Sequence, residues 1–354
     1  MKVLIVASGT GGHVYPALSI AQEFSKTSAR IFWIGSRGSL EEKLALKEEF
    51  TFFHHTSFGF RGKNIFLKLY SILYLIISFF KSLNLVNKIR PDFVFSTGNY
   101  SSLGPCFAAF VLRVPFFIHE QNIVPGSANK LLEPFSKIVF EGFNGSFTSS
   151  DKVKYVGNPV RNIFNSKNNT PTIFDEKKFR ILILGGSQGS NNLNEIAFNA
   201  LSHLKYRELF FIHHQSGNQG KEVLEAQYRS TGMSFHVEDF IENICQAMVD
   251  ADLIISRSGA MAITEIAHLG KPSILLPLPW SIDDHQFKNA KYMKDLGGAI
   301  VIWKRNLEKK IQVNIEELVN DKVLLEEIGK SAKLAFLPGS AKKIYNEINA
   351  LFKK

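Results

Sequence analysis

The strongest constraint on the fold is a pattern that occurs twice in the chain: a strand, a glycine-rich loop and a helix in direct succession. The first copy has a strand at residues 2–7, a loop at 8–13 and a helix predicted over 15–25. The second has a strand at residues 180–184 and a loop at 185–190 that leads into another helical stretch. Such loops present backbone N–H groups to a phosphate. The repeat predicts an α/β protein with two Rossmann-like, doubly wound domains of parallel sheets that face a central cleft.

A change in composition marks the end of the first domain. A turn at residues 157–161 is followed by polar, asparagine-rich sequence at 162–170. We therefore expect an N-terminal domain at 1–161 and a C-terminal domain at 162–339, which 354 residues accommodate. A basic, amphipathic helix is predicted over 341–352, and we expect the segment 340–354 to pack back on the first domain.

The charge of the chain indicates an anionic partner. The formal net charge is +10 and the pI is near 9.4. This surplus fits nucleic acid, anionic lipid or a phosphorylated substrate. No basic helix of a nucleic-acid-binding type and no aromatic-basic RNA motif supports nucleic acid as the partner, so it is not expected. Cys106 and Cys245 lie in apolar surroundings far apart in the sequence, which predicts buried thiols in a reducing compartment.

The stretch from Ile65 to Phe80 is the most unusual part of the sequence. Basic residues flank or interrupt its beginning, and residues 69–80 are almost wholly apolar, which is too short to span a bilayer. At helical spacing the polar residues form only a narrow stripe, which leaves a wide apolar face. Two interpretations follow: a helix packed into its own domain, or a helix whose outer side dips into an anionic membrane.

Polar loops follow several predicted strands of the first domain. His13 ends the first loop, a small-residue loop at 97–102 follows a later strand, and residues 119–122 close another. The loops after parallel strands meet at the carboxyl edge of the sheet, where ligands bind. His13 is a candidate base because imidazole exchanges protons near neutral pH, and a purely structural histidine is the alternative.

The first loop does not match the dinucleotide fingerprint. Val14 stands where that fingerprint has its third glycine, and no acidic residue clearly ends the second strand, predicted at residues 30–34. NAD is therefore not expected as a cofactor.

In the second half, an apolar strand ends at Ser256 and a helix of small residues begins after a Ser-Gly turn. Ser258 is expected to cap that helix, and Gly259 to leave its amides open to a phosphate. Glu265, about two turns further on, could bind vicinal hydroxyl groups. The alternative is an ordinary strand-to-helix connection with a surface glutamate.

Two further stretches complete a possible nucleotide-sugar site. Phe240 and Ile241 follow a predicted strand, either as an exposed apolar pair that flanks a planar base or as part of the core. The loop at residues 279–286 concentrates hydrogen-bonding side chains, as the recognition of sugar hydroxyl groups requires.

Six short motifs together resemble the MurG family, bacterial GT-B glycosyltransferases of glycosyltransferase family 28. They are residues 9–13 (GTGGH), 119–122 (HEQN), 157–161 (GNPVR), 185–189 (GGSQG), 257–260 (RSGA) and 285–286 (HQ). The motifs occur in order across nearly the whole chain. The resemblance implies the GT-B fold and an inverting transfer of N-acetylglucosamine (GlcNAc) from UDP-GlcNAc to undecaprenyl-pyrophosphoryl-MurNAc-pentapeptide (lipid I), which forms lipid II in peptidoglycan synthesis.

The resemblance also implies roles for individual residues. His13 and Glu120 are the catalytic candidates. Ile241 is expected near uracil, Glu265 at the ribose, and Gln286 at the sugar. The full set expected to contact UDP-GlcNAc is Thr10, Gly11, Gly12, Asn122, Arg161, Ser187, Ile241, Ala260, Met261, Ala262, Ile263, Thr264, Glu265 and Gln286.

The partners implied by the resemblance are UDP-GlcNAc, lipid I, an anionic membrane surface that contacts residues 65–80, and other cell-wall synthesis proteins, at the cytoplasmic face of the bacterial inner membrane. No metal or other cofactor is expected, because amides and helix dipoles can stabilise a diphosphate. The sequence departs from the family at Asn99, where a glycine is usual.

Other functions remain compatible with parts of this pattern. A different GT-B enzyme, such as a UDP-sugar 2-epimerase or a lipid glycosyltransferase, would share the donor loops. A non-catalytic, basic membrane-binding module would share the charge and the apolar stretch, but it would not need two phosphate-type loops.

Overall fold

The computed structural model describes residues 1–55, 65–165, 170, 172, 178–186, 189–217 and 220–353, with the backbone alone for 65–72 and 282. The chain forms two compact units. The first comprises Met1–Arg161 and Leu337–Lys354, and the second comprises Asn162–Phe336. Each unit contains one sheet of parallel strands joined by helical connections, so the predicted α/β class with two Rossmann-like domains is confirmed.

The sheet of the first unit has seven strands in the order β3-β2-β1-β4-β5-β6-β7. The strands are β1 (Lys2–Val6), β2 (Arg30–Gly35), β3 (Thr51–His54), β4 (Phe93–Ser96), β5 (Phe116–Glu120), β6 (Ile138–Glu141) and β7 (Val153–Tyr155). The chain reverses the direction in which it adds strands between β1 and β4. Ligands of doubly wound sheets bind outside the carboxyl ends of the strands at such a switch point.

The sheet of the second unit has six strands in the order β10-β9-β8-β11-β12-β13. They are β8 (Phe179–Leu184), β9 (Phe210–Gln215), β10 (Ser234–Glu238), β11 (Leu253–Ser256), β12 (Ser273–Leu275) and β13 (Ile300–Val301). The corresponding switch point lies between β8 and β11.

The helices connect these strands and close the chain. They are α1 (Gly11–Ser25), α2 (Leu40–Lys47), α3 (Ile65–Ile89), α4 (Leu103–Val111), α5 (Ser127–Leu132), α6 (Asn191–Ser202), α7 (Lys221–Arg229), α8 (Ile244–Asp250), α9 (Ala260–Leu269), α10 (His285–Asp295), α11 (Leu307–Asn320), α12 (Lys322–Ala332) and α13 (Ser340–Phe352).

The core of the first unit explains why its central strands are continuously apolar. Residues 3–6 of β1 are fully buried, as expected for a parallel strand covered on both faces. One of its apolar clusters joins α1 to the last helix, where the ring of Phe24 lies 5.0 Å from that of Tyr345 and Ile344 and Ile348 are fully buried. The last helix therefore belongs to the first unit.

The helix α3 has 25 residues and exposes apolar side chains at Leu73, Ile76, Ile77 and Phe80. Within the described part of the chain, no helix combines the length and the apolar character needed to cross a membrane.

Candidate functional site

The candidate residues of the first unit lie at the carboxyl edge of its sheet. The strands β1, β4 and β5 are neighbours, and the loops after them carry His13, residues 97–99 and residues 120–122. Because the strands are parallel, these loops emerge at the same edge. Direct contacts between the loops hold them together.

His13 is fixed by the loop that follows β4. Its Nδ1 lies 2.8 Å from the carbonyl oxygen of Thr97, and the Thr97 hydroxyl donates to the carbonyl of His13 at 2.9 Å. Because a carbonyl oxygen can only accept, Nδ1 carries the proton of the neutral imidazole. The lone pair is then on Nε2, which is the nitrogen able to accept a proton. The side chain is half-buried, so it is held in place and still accessible.

Asn99 connects the first and second loops. Its φ of +77° and ψ of 156° lie outside the left-handed helical region that asparagine tolerates, in a region that residues with side chains rarely adopt. Its Nδ2 donates to the carbonyl oxygen of Ser8 at 3.0 Å, and a Cβ on Gly9 would lie 2.8 Å from that nitrogen. Asn99 therefore preserves the backbone shape of a glycine and adds a contact that requires a glycine at residue 9.

The helix after the first loop starts without a side-chain cap. It begins at Gly11, earlier than the predicted start at residue 15, with Pro16 in its second turn. Its N-cap residue, Thr10, is exposed and makes no side-chain capping hydrogen bond. The first amides of a helix have no partner within it, so the N–H groups of Gly11 and Gly12 can bind a ligand.

His119 differs from His13 because it is buried and bonded at both ring nitrogens. Its Nε2 lies 3.1 Å from the carbonyl oxygen of Gly157, and its Nδ1 lies 3.0 Å from the Nε2 of Gln121. The carbonyl requires a proton on Nε2, so His119 has the opposite neutral tautomer to His13. Burial lowers the pKa of His119 to about 4. His119 therefore supports the fold as a neutral side chain.

Glu120 organises the loop after β5. One carboxylate oxygen accepts from the N and Nδ2 of Asn122 at 2.9 and 3.2 Å, and the other accepts from the N of Gly126 and the Nδ2 of Asn129, both at 2.9 Å. The residue is only 2% exposed. Four donors satisfy the carboxylate and burial separates it from a substrate. The predicted catalytic role disagrees with this placement, which makes Glu120 a residue that shapes the loop.

Asn122 and Arg161 are the remaining predicted contacts in this unit, and both are half-buried. The carbonyl of Asn122 accepts from the Ser146 hydroxyl at 3.0 Å. The guanidinium of Arg161 lies 4.5 Å from the ring centroid of Tyr15. Since Tyr15 belongs to α1, Arg161 is fixed beside the helix whose first turn carries His13.

In the second unit, close packing shapes the glycine loop after β8. Gly186 and Gly189 have φ values of +87° and +73°. A Cβ on Gly189 would lie 2.6 Å from the Cα of Gly217, in the loop after β9. Only glycine fits this contact. Ser187, predicted to contact UDP-GlcNAc, lies outside the described residues.

Arg257 connects the loops after β8 and β11, although no ligand-binding role was predicted for it. Its guanidinium donates to the hydroxyl of Ser190 at 3.1 Å, the Oδ1 of Asn192 at 3.0 Å and the carbonyl of Leu276 at 3.0 Å. It is only 6% exposed, and burial lowers its pKa to about 10, so it remains a cation at neutral pH. Within the described part of the chain these partners are all neutral. A bound anion would balance this charge.

The start of α9 is open, for a different reason from the one predicted. Ser258 does not cap the helix, because its hydroxyl donates to the carbonyl of Gln286 at 2.8 Å. The N-cap is Gly259, which has no side chain to cap with, and a Cβ there would meet nothing within 4 Å. The amides of Ala260 and Met261 belong to the first turn of α9, where N–H groups have no partner within the helix, and they lie at its positive end, which favours an anion.

The remaining predicted contacts on α9, residues 262–265, are more buried than the residues of a surface helix. Thr264 and Glu265 are each 5% exposed, so Glu265 is not the surface glutamate of the alternative interpretation. The Thr264 hydroxyl donates to the carbonyl of Ala260 at 2.8 Å. Ile263 is fully buried and its amide bonds to Gly259 at 3.0 Å, so neither group is available to a ligand. Ala262 is half-buried.

Gln286, in the first turn of α10, bonds back to the segment that follows β12. Its Oε1 accepts from the amide of Leu278 at 3.0 Å, and its side chain is half-buried. The polar loop at residues 279–286 is held against Ser258 by the Gln286 carbonyl and by Asn289, whose Nδ2 donates to the Ser258 carbonyl at 3.3 Å. Gln286 is therefore oriented beside the start of α9.

Phe240 and Ile241 do not form the exposed pair that was one interpretation of the sequence. Phe240 is 47% exposed, whereas Ile241 is 3% exposed. The loop that carries them is tied to the loop after β9, because the amides of Ser216 and Gly217 donate to the carbonyls of Glu238 and Asp239 at 2.8 and 3.1 Å. The ring of Phe240 is thus the apolar surface offered at this edge.

Two family models match the chain. The model for the glycosyltransferase family 28 N-terminal domain matches residues 3–141, and the model for the glycosyltransferase family 28 C-terminal domain matches residues 180–344. Together the two matches cover most of both units.

Known proteins resemble the chain along nearly its whole length. A Coxiella burnetii protein is 33% identical over 347 residues, which are 97% of this chain and 96% of the relative. A Pseudomonas fluorescens protein is 38% identical over 304 residues, 86% of this chain and 85% of the relative. Both are named UDP-N-acetylglucosamine–N-acetylmuramyl-(pentapeptide) pyrophosphoryl-undecaprenol N-acetylglucosamine transferase. The crystal structure of MurG from Acinetobacter baumannii matches with a TM-score of 0.79 at 30% identity, over 99% of each chain.

Proposed function

The chain belongs to glycosyltransferase family 28, and from this premise we propose its reaction: the transfer of GlcNAc from UDP-GlcNAc to undecaprenyl-pyrophosphoryl-MurNAc-pentapeptide, which forms lipid II. The observation that supports it most is the agreement, at 33–38% identity over 86–97% of the chain, with proteins named for this transfer. The geometry of the two carboxyl edges supports the assignment of roles to residues.

The UDP diphosphate binds the second unit. The amides of Ala260 and Met261 at the open start of α9 donate to it, and the neighbouring glycine loop supplies further amides. The buried guanidinium of Arg257 adds a positive charge that its neutral partners leave uncompensated. These groups stabilise the charge that develops on UDP as it leaves.

The nucleoside and sugar bind the neighbouring loops of the same unit. The Glu265 carboxylate accepts from the ribose hydroxyl groups. The exposed ring of Phe240 covers one face of uracil, and Ile241 contributes through its backbone because its side chain is buried. Gln286 uses Oε1 to accept from Leu278, so its amide nitrogen is the group that donates to a GlcNAc hydroxyl.

The acceptor and the base belong to the first unit. The hydroxyl oxygen of MurNAc attacks the anomeric carbon of GlcNAc while its proton passes to the Nε2 of His13. The bond from that carbon to the phosphate oxygen breaks, and UDP departs with the electron pair. The hydrogen bond from Nδ1 to Thr97 holds the imidazole in the tautomer that this step requires. No cofactor takes part in the proposed step, because amides and a guanidinium balance the charge of the leaving group.

The lipid part of the acceptor is anchored in a membrane, and the apolar face of α3 contacts the surface of that membrane. That face consists of Leu73, Ile76, Ile77 and Phe80, whose spacing places them on one side of the helix. The small polar residues point inward: Ser78 and Ser82 are buried, and the Ser78 hydroxyl lies 2.6 Å from the Nε2 of His55. A helix that turns serines inward and apolar residues outward is built to bind an apolar environment.

Vesicle sedimentation tests this membrane contact. The combined change Leu73→Ser, Ile76→Ser and Phe80→Ser should reduce binding to phosphatidylglycerol vesicles, because it removes apolar side chains from the surface. The control, Val323→Ser with Leu334→Ser, changes two residues of the second unit that are more exposed than those of α3 and should leave binding unchanged. Equal binding by both variants and the unaltered protein would exclude the α3 face as the membrane contact.

A transfer assay with UDP-GlcNAc and a soluble lipid I analogue tests the reaction itself. UDP should be released only when both substrates are present, and GlcNAc should appear on the MurNAc sugar. Glu265→Ala should raise the KM for UDP-GlcNAc. Production of a 2-epimeric sugar without acceptor, or transfer to diacylglycerol instead, would replace this proposal by one of its two rivals.

A further inference from the structure

Three side chains that could bind a metal ion lie together on the outer strands of the second sheet. His213 is on β9, and His236 and Glu238 are on β10, with His213 and His236 directly paired across the strands. The Oε1 of Glu238 lies 2.7 Å from the Nε2 of His213 and 3.3 Å from the Nε2 of His236. The two imidazole rings have centroids 5.2 Å apart. The three side chains therefore converge on one point.

The separations match those around a small transition-metal ion. One ligand atom from each of the three residues lies within 4.8 Å of the other two. In a tetrahedral zinc site with bonds of about 2.0–2.2 Å, ligand atoms lie roughly 3.3–3.6 Å apart. Small side-chain rotations therefore bring both nitrogens and the carboxylate oxygen into a zinc coordination sphere. The sequence spacing alone hides this group, because the strand pairing creates it.

The electrostatic surroundings allow imidazole to act as a ligand. A metal ion binds the neutral form of imidazole through the lone pair of a ring nitrogen. The carboxylate of Glu238 supplies negative charge. The positive charge that faces the group is Arg180 on β8, whose guanidinium lies 4.4 Å from the ring centroid of Phe211. The contact with the Phe211 ring holds the guanidinium in a fixed position beside the three ligand side chains.

The group is also accessible from solvent. The side chains of His213, His236 and Glu238 are 21%, 58% and 32% exposed. A surface pocket beside them is lined by Leu182, Phe211 and both histidines. An ion can therefore enter, and water can complete its coordination.

We propose that His213, His236 and Glu238 form a binding site for a divalent transition-metal ion of the zinc type, with two imidazole nitrogens, one carboxylate oxygen and water as ligands. Imidazole with carboxylate favours zinc, nickel and copper over magnesium or calcium. The site takes no part in the proposed glycosyl transfer. It joins β9 to β10 directly before the loop that carries Phe240, so the ion acts as a clamp on the outer strands.

Zinc titration of the full-length protein tests the site. The protein carries no affinity tag, because a histidine tag would bind zinc itself, and is first treated with a chelator. Calorimetry should show one zinc ion bound per chain, and Co²⁺ in its place should give the visible absorption of a tetrahedral site. His236→Ala should weaken zinc binding by at least about tenfold, since losing even an outer-shell partner costs 10–100-fold. Glu238→Gln, which keeps the shape but removes the charge, should do the same.

The matched control is His54→Ala. His54 pairs with Glu42 at 2.6 Å in the first unit and is similarly exposed, but among the described residues no third metal-ligating side chain joins this pair. This variant should bind zinc as the unaltered protein does. Circular dichroism checks that each variant is folded. Because His236 is more exposed than His213, the fold should tolerate its replacement better. Equal zinc affinity in folded His236→Ala, or no binding below millimolar zinc, would overturn the proposal.

Discussion

The two units begin with the same strand, glycine loop and helix, yet different groups hold the two loops in place. In the first unit the contacts are neutral: His13 bonds to Thr97, and Asn99 bonds to Ser8. In the second unit a buried cation performs this task, because Arg257 donates to Ser190 at the start of α6. The backbone pattern is shared, and the charge is not.

This difference shows that a shared loop geometry leaves the chemistry to the side chains that fix it. The helix after the second glycine loop, α6, is capped by Ser190, so the second unit offers open amides at α9 instead, whereas the first unit offers them at α1. Only the second unit adds a buried positive charge, which suits a diphosphate that must leave as an anion. Only the first adds an imidazole with its lone pair directed away from the loop, which suits the removal of a proton.

Replacing His13 tests the first half of this comparison and should have the largest effect. His13→Ala should lower kcat by about 10²–10⁴, the range for a lost general base. The affinity for UDP should stay unchanged, because the donor groups belong to the other unit. Steady-state turnover and UDP calorimetry measure the two quantities.

The control for this change is His54→Ala, which removes an exposed histidine of the same unit that is paired with Glu42. It should retain normal turnover. A folded His13→Ala protein with a kcat close to normal would show that another group accepts the proton.

Arg257 tests the second half of the comparison. Arg257→Gln should raise the dissociation constant for UDP roughly ten- to a hundredfold, because a charge-assisted contribution of about 1.5–3 kcal/mol is lost. Arg257→Lys, which keeps the charge but not the planar fork, should recover part of the affinity. Calorimetry gives the constants, and thermal melts separate loss of affinity from loss of fold. An unchanged dissociation constant in Arg257→Gln would mean that the cation serves the loops alone.

Glu120 tests whether a loop-shaping residue can be distinguished from a catalytic one. Glu120→Gln replaces an oxygen that accepts two hydrogen bonds by an NH₂ group, so the free energy of unfolding should fall by about 1–3 kcal/mol. Turnover should fall far less than in His13→Ala. Chemical denaturation and kinetics measure both effects. A fall in kcat equal to that of His13→Ala, with stability unchanged, would restore Glu120 as a base.

The buried histidines predict the smallest effect, a dependence of stability on pH. The pKa of His119 is about 4 in the folded chain, against an ordinary value of 6.5. Between these values the unfolded chain binds a proton that the folded chain does not, so the free energy of unfolding should decrease as pH falls from 6.5 to 4. One histidine contributes on the order of 1 kcal/mol per pH unit.

Burial acts in the same direction on His55 and His214, whose pKa values it lowers to about 4 and about 3. Urea denaturation at several pH values measures the slope. His119→Asn should reduce that slope by the share of one histidine. A slope that does not change on this replacement would show that His119 is already protonated or already exposed in this range.

Much of the fold could be predicted because its signals are local. A buried parallel strand is a continuous apolar run, as in β1 and β11, and a glycine loop after it marks a carboxyl edge. The left-handed φ of Gly9 and the packing of Gly189 against Gly217 need glycine at those positions, so the motifs were visible without coordinates. The helix predicted after the first loop was correct in kind and began too late.

The roles that could not be predicted depend on contacts between distant residues. Ser258 stands where the sequence pattern predicts a helix cap. Its hydroxyl instead donates to the carbonyl of Gln286, 28 positions later. Glu120 belongs to a motif that resembles a catalytic one, but four donors around it make it structural. For Arg257, the sequence signals were its place in the motif at residues 257–260 and in a loop of small residues, and its neutral surroundings became evident only in three dimensions.

The sequence by itself determined two Rossmann-like units, the loops at their ligand edges and the family to which the chain belongs, because apolar runs and glycines report backbone shape directly. Only the tertiary structure decided which nitrogen of His13 carries a proton and that the buried guanidinium of Arg257 has neutral partners. It also decided that the side chains of His213, His236 and Glu238 lie together. Protonation, charge balance and metal ligation depend on partners that strand pairing and loop packing bring within hydrogen-bond distance. His13 and Thr97, Arg257 and Ser190, and His213 and His236 are each more than 20 positions apart in the sequence, so no local pattern records these contacts.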